Sequence, residues 1–308
     1  MIVEKKRINV GGQAVIEGVM IRGPSKYVVA VRKNRKITAK HGNIPSRNHS
    51  FMKWPFVRGF VNLVDMLVIG IRSLMWSAEQ ASGEEKLGKN ELVFTILISV
   101  GFAILFFIAL PYFLTNLVGF TEEKKPVLFN IIDGVIRIMI FLVYIIAISF
   151  MKDVRVLFQY HGAEHKAIHC YEKVKKLNAA NVKKFTTLHP RCGTSFLLIV
   201  FIVSIFVFSL LPSIILFYYP SFLNLSVWIR KGTLFPIRIL LIPIIAGISY
   251  EILKISDKKQ ANLLFKIISM PGLALQRITT KEPNKRQIEV AIQSLKKLLS
   301  IEKNKIKK

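Results

Sequence analysis

Long apolar blocks, rather than the short alternating runs of a soluble domain, set the pattern of this chain. Residues 92–118 (LVFTILISVGFAILFFIALPYFLTNLV) carry no charge and exceed the roughly 20 residues needed to cross a bilayer core. Residues 130–151, 195–219 and 234–255 have similar length, although the first of these contains Asp133 and Arg137 and the last contains Arg238, Glu251 and Lys254. About four transmembrane helices are therefore expected. A further apolar stretch, residues 54–76, is interrupted by Arg58, Asp65 and Arg72 at sevenfold spacing, which puts one stripe of charge on an otherwise apolar helix. That pattern predicts an interfacial or core-packed amphipathic helix in preference to a fifth crossing. Before it, the turn signals GGQ, RGP and HGN surround alternating residues 27–32 and 36–40, which predict a β-hairpin in a small β-containing region. After the last block, residues 262–275 are apolar and broken by Pro271-Gly272, predicting a helix and a turn. Residues 285–299 carry Ile288, Ala291, Ile292, Leu295 and Leu299 at helical spacing.

The fold class expected is an all-α polytopic membrane protein with a small β-containing N-terminal cytoplasmic region. Its divisions are a β-containing region over 1–53, an amphipathic helix and linker over 54–91, a four-helix membrane core over 92–255, and a helical C-terminal tail over 256–308. Composition sharpens this picture. The 308 residues include 45 Lys and Arg against 18 Asp and Glu, a formal charge of +27, yet 52% are hydrophobic. Disorder is excluded by the 22 Phe and the aliphatic content, and no aromatic-basic motif supports nucleic-acid binding. Lys and Arg number 16 in residues 1–91, 2 in 119–129, 9 in 152–194, 2 in 220–233 and 13 in 256–308. By the positive-inside bias this alternation places both termini and the 152–194 loop in the cytoplasm, where the basic flanks meet anionic lipid. The first apolar block does not read as a signal peptide, because 91 residues precede it. Cys170 and Cys192 are too few for a disulfide framework.

Four of the six histidines fall between 161 and 189, inside that cytoplasmic loop. In the run HGAEHKAIHCYE, a helix brings His161, His165, His169, Glu164 and Glu172 onto one face and turns Cys170 away from it. Axial rise limits one metal ion to an adjacent pair of imidazoles. His161-x-x-Glu164-His165 has the H-x-x-E-H form, in which two histidines hold zinc and the glutamate serves as base. His165 with His169, and Glu172 three residues further on, is the competing pair. His189 and Cys192 are candidate ligands from the HPRC turn, and Glu251 is a candidate third ligand or the ion-pair partner of Lys254 or Arg238. Asp133 and Arg137 read as an internal salt bridge.

These motifs carry a resemblance. GGQAVIEGVMIRGP at 11–24, the Pro55/Arg58-Gly59 helix start, HGAEHKAIHCYE at 161–172, HPRCGTSF at 189–196, Tyr250-Glu251, and MPGLALQRITTKEPN followed by QIEVAI resemble the YqhQ family of bacterial membrane proteins. The resemblance runs through nearly the whole chain and implies a metal-dependent enzyme of uncharacterised function. It implies site roles for residues in the signature blocks: Glu17, Arg22, His161, Glu164, His165, His189, Arg191, Cys192 and Glu251. The expectation is a hydrolase of the bacterial cytoplasmic membrane that binds a divalent metal, zinc above others. The competing expectation is a scaffold whose His/Glu face holds a structural metal or a partner. A cation transporter fits less well, because the four apolar blocks carry few of the acidic and amide residues of a cation path. The N-terminal glycines do not form a phosphate loop and read as a tight turn. Asn34-Arg35-Lys36 stands where a glycine-containing hairpin turn is expected.

Overall fold

A computed structural model describes residues 8–45, 50–82, 88–121, 125–258 and 262–306. The chain is mostly helical, with one four-stranded antiparallel sheet ordered β1 (Gly11–Val15), β2 (Gly18–Arg22), β3 (Lys26–Lys33) and β4 (Lys36–Asn43). The helices are α1 (Val57–Ser82), α2 (Lys89–Ile104), α3 (Leu110–Leu117), α4 (Pro126–Ser149), α5 (Lys152–Glu172), α6 (Ala179–Lys183), α7 (Gly193–Tyr218), α8 (Val227–Lys258), α9 (Leu263–Thr279) and α10 (Lys285–Ile306). A π-helical segment, Leu105–Ala109, joins α2 to α3. Pro111 follows it, and a proline lacks the N–H and clashes with the carbonyl four residues back, so the backbone widens locally and the Leu110 N–H reaches Leu105.

Among the described residues, five helical segments are long and apolar enough to cross a membrane: Val57–Ala81, Val93–Leu117, Val127–Ser149, Gly193–Tyr218 and Trp228–Asp257. This is one more than the four expected. The additional segment is α1, whose charges do not shorten its apolar window below a membrane-spanning length. Two of those charges have internal partners: Asp65 pairs with Arg22 and Arg58 with Glu251, whereas Arg72 is exposed.

The GGQAVIEGVMIRGP block forms a hairpin of its own, β1 and β2, with Glu17 at φ 49 in the turn. The second hairpin has the expected position, and Asn34 at φ 55 supplies the left-handed residue where glycine was anticipated. Asparagine tolerates that conformation better than most side chains. The apolar runs of β2 and β3 are buried on both faces. Val19, Ile21, Val28 and Ala30 pack with α5 and α10, while Val15, Met20, Val29 and Val31 pack with Ile69 of α1. The sheet is thus the middle layer between α1 and the α5/α10 pair, and continuous hydrophobicity is what a doubly covered strand requires. The N-terminal region and the C-terminal helix, which sequence treats as opposite ends, share one core. Glu302 of α10 closes it by accepting from the backbone N–H groups of Ser25 and Lys26 and from the Ser25 hydroxyl.

The helix and turn expected over 262–275 are instead one helix, because α9 continues through Pro271 and Gly272 to Thr279. Gly272 lies against Ser195 of α7, so a side chain there would displace the helix, and that packing holds α9 together across its proline. Gly162 of α5 lies equally close to the Lys281 carbonyl, and Lys281 donates its backbone N–H to the Phe158 carbonyl at 2.9 Å. Gly162→Ala is expected to push the α9–α10 connection away from α5 and to cost about 1–3 kcal/mol, read as a lowered thermal unfolding midpoint in detergent.

Candidate metal centre

Helix α5 carries two different surfaces. Ala163, Ala167, Ile168 and Cys170 enter the core with the sheet and α10, so the opposite face, with His161, His165 and His169, is directed to the 187–192 turn. Burial raises the pKa of the Cys170 thiol, whose Sγ points at the carbonyls of Lys175 and Lys176. It is a core residue, as its angular position on the helix predicts.

Carbonyl oxygens only accept hydrogen bonds, and this decides the tautomers of three imidazoles. His161 Nδ1 lies 2.9 Å from the Thr279 carbonyl and His165 Nδ1 lies 2.5 Å from the Thr187 carbonyl, so each carries its proton on Nδ1. Each Nε2 therefore keeps its lone pair. His161 Nε2 lies 3.2 Å from Cys192 Sγ, and one ligand atom each from His161, His165 and Cys192 lie within 4.8 Å of one another. In a tetrahedral zinc site with bonds of about 2.0–2.3 Å, neighbouring ligand atoms stand about 3.5 Å apart, so the group has the dimensions of a metal pocket. Its donor set, two imidazoles oriented by backbone carbonyls and one sulfur, is the chemistry that zinc favours.

Glu164 stands beside this group. Its side chain is buried against Gly12 of β1, where a larger residue would collide with it. Oε2 lies 3.5 Å from His165 Nε2 and accepts no hydrogen bond. Burial raises its pKa, partly opposed by His161 and His189. A buried carboxylate oxygen without a donor fits a place reserved for a cation or a proton.

A second group, His169, Glu172 and His189, also converges within 4.8 Å, but both nitrogens of His189 and both oxygens of Glu172 already face partners, and His169 keeps only its Nδ1 lone pair. His169 Nε2 donates to the Leu188 carbonyl at 2.8 Å. His189 Nδ1 accepts from the Arg191 N–H at 3.2 Å, which leaves the proton on Nε2, 3.4 Å from Glu172. Glu172 is in close ion-pair contact with Arg191, whose Nε also faces Asp257 at 3.6 Å. Burial lowers the pKa of His165, His169 and His189, that of His169 to about 4.

Other residues singled out in the sequence lie elsewhere. Glu251 is gripped by Arg58, at 2.6 Å to Nε and 2.5 Å to Nη2, in place of the Lys254 or Arg238 pairing considered for it. Arg22 pairs with Asp65 at 3.3 Å. Glu17 accepts from the Tyr160 hydroxyl at 3.1 Å, which with burial raises the pKa of that phenol. Asp133 and Arg137 form the expected i,i+4 bridge at 2.7 Å.

Several positioning groups carry no chemical signature in sequence. Gln276, fully buried, accepts from the His189 N–H and donates to the His189 carbonyl and the Ser195 hydroxyl. Buried Lys166 reaches Glu282 and the Lys183 carbonyl. The signal available for Gln276, Thr279 and Glu282 is their place in MPGLALQRITTKEPN.

The comparisons place the chain in a family and assign it no activity. Residues 54–301 match DUF1385, a protein family of unknown function. The uncharacterized protein YqhQ of Bacillus subtilis (strain 168) is 34% identical over 314 residues, covering 95% of this chain and 92% of that protein. The chain belongs to this YqhQ-like family. No solved structure matches it.

Gln276→Leu leaves the His189 N–H and carbonyl without their partner and is expected to cost about 2–4 kcal/mol in thermal unfolding. A pH effect follows from His169. An unfolded imidazole takes up its proton near pH 6.5, whereas in the folded chain protonation waits until about pH 4. Between these values the unfolded state binds more protons, so stability falls as pH drops from 6.5 to 4, by about 3 kcal/mol at most. Chemical denaturation of chelator-treated protein across that range is expected to show the loss, and His169→Gln, which keeps a donor for Leu188, to reduce it, with His165 and His189 still contributing in the same direction.

Proposed function

We propose that this protein is a metal-dependent hydrolase of the bacterial cytoplasmic membrane, with its site at the cytoplasmic face. The observation that carries this reading is the convergence of two Nε2 lone pairs and one thiol beside Glu164 Oε2, a buried carboxylate oxygen that accepts no hydrogen bond. His161, His165 and Cys192 would hold one divalent ion, zinc above others. Glu251 and Glu172 are disfavoured as the third ligand, because Arg58 and Arg191 already neutralise them. Three protein ligands leave a coordination position open, as catalytic zinc sites do. A bound ion supplies Lewis acidity that makes water a competent nucleophile near neutral pH toward a carbonyl or phosphoryl centre. Glu164 Oε2 takes up the proton released at attack, and burial, by raising its proton affinity, suits it to that role. Thr279 and Thr187 hold the two imidazole rings in the tautomer that offers Nε2. Crossing by α2–α3, α4, α7 and α8, with both termini cytoplasmic, is supported by the alternation of Lys and Arg between successive loops.

Purified protein is expected to carry about one divalent ion per chain, and His161→Ala with His165→Ala to remove it. Glu164→Gln is expected to keep the ion and lose cellular function. Metal analysis of parent and variants, beside complementation of a deletion strain, checks both. An ion-free parent, or an ion retained in the double His variant, would end this reading.

A further inference from the structure

Helix α1 is long and apolar enough to span a bilayer, yet its neighbours decide its path. The sheet precedes α1 in the chain and packs directly against α5 and α10, so these three parts lie on one side of any membrane. Between the sheet and α5 the number of crossings must therefore be even. The segments Val93–Leu117 and Val127–Ser149, with mean hydropathy 2.8 and 2.5 and little of either buried in the protein, are the two strongest spans in that interval. Val57–Ala81, at 1.4, is the weakest of the five. If the two strong segments cross, α1 does not. Between α5 and α10 the segments of α7 and α8 cross and return, which preserves the same parity.

The surface of α1 matches this path. Ile69, Ser73 and Ser77 are buried on the side that meets the sheet, and Ser77 accepts the Ile16 N–H at 3.1 Å. About 180° around the helix, Val64, Leu67, Val68, Ile71 and Met75 are exposed in one stripe. At its start, Gly59 packs on Gly247 and Tyr250 of α8, which ties this end of α1 to a spanning helix and leaves the stripe on the far side uncovered. Exposed Phe51, Trp54 and Phe56 cluster at this junction, the kind of side chains that collect at a membrane interface.

We infer that α1 enters and leaves the membrane from the cytoplasmic side, with its exposed apolar stripe seated among the lipid chains of the cytoplasmic leaflet. It clamps the sheet, and through it α5 and the His161 site, onto the membrane surface. The inference rests on the shared core and not on metal chemistry, so its failure would leave the metal proposal standing.

Nitroxide labels at Leu67→Cys, Ile71→Cys and Met75→Cys, placed on exposed positions of the full-length protein in anionic phospholipid vesicles, test the depth. Every label is expected to contact lipid and to stay on the cytoplasmic side of the midplane, within about 15 Å of the leaflet boundary. In cells, Ala81→Cys is expected to react with a membrane-impermeant maleimide only from the cytoplasmic face. A label beyond the midplane, or reaction of position 81 from outside, would establish a crossing and overturn the inference. Relaxation of all three labels by a water-soluble agent, without lipid contact, would overturn the assignment of lipid as the occupant.

Discussion

Burial of Val19, Ile21, Val28 and Ala30 against α5 and α10 is the contact on which the rest of this protein turns. Each fully buried Val or Ile contributes about 1.5–3 kcal/mol relative to exposure, and here the gain is shared among segments from both ends and the middle of the chain. Small residues on α5 let the helix approach the sheet closely, and this fixes its rotation. With Ala163 and Ala167 inward, the histidines face the 187–192 turn and the end of α9. Packing at the core thus determines chemistry on the opposite side of the same helix.

A second level of control lies in backbone carbonyls. His161, His165 and His169 have the same side chain and occupy successive turns of one helix, yet two are held through Nδ1 and one through Nε2. The first two present matching lone pairs next to Cys192. The third stands beside His189, Glu172 and Arg191, which are largely paired with one another. One helix face therefore carries two groups of similar composition and different capacity.

Sequence made some of this legible. The apolar blocks announced the membrane helices because length and hydropathy act locally, and the 3.6-residue period put His161, His165 and Glu164 together. Cys192 was recognisable as a ligand candidate from its motif. What sequence could not reveal depends on contacts distant along the chain. Arg58 claims Glu251 across 193 residues, and Gln276 grips His189 across 87. The doubly covered sheet was hidden for a related reason: a strand such as Tyr27–Arg32 shows its apolar run, but not which helices cover its two faces. The continuity of α9 through Pro271 rests on the packing of Gly272 against Ser195, again invisible locally.

The core joined by Glu302 and the Ser25 backbone has a consequence for how the protein is made. Ser294 donates its hydroxyl to the Val28 carbonyl across 266 residues, and all the membrane helices are synthesised between the two. The sheet leaves the ribosome before α10 and waits, with one face only partly covered by α5, until that helix is released. Closure of so long a loop is slow, and an uncovered β-face is prone to aggregate or recruit a chaperone in the interval. Assembly of the His161 site is consequently a late event in biogenesis: a chain stalled at any span lacks α10 and the Thr279 carbonyl, and one misinserted there holds them on the wrong side, so neither presents its imidazoles together.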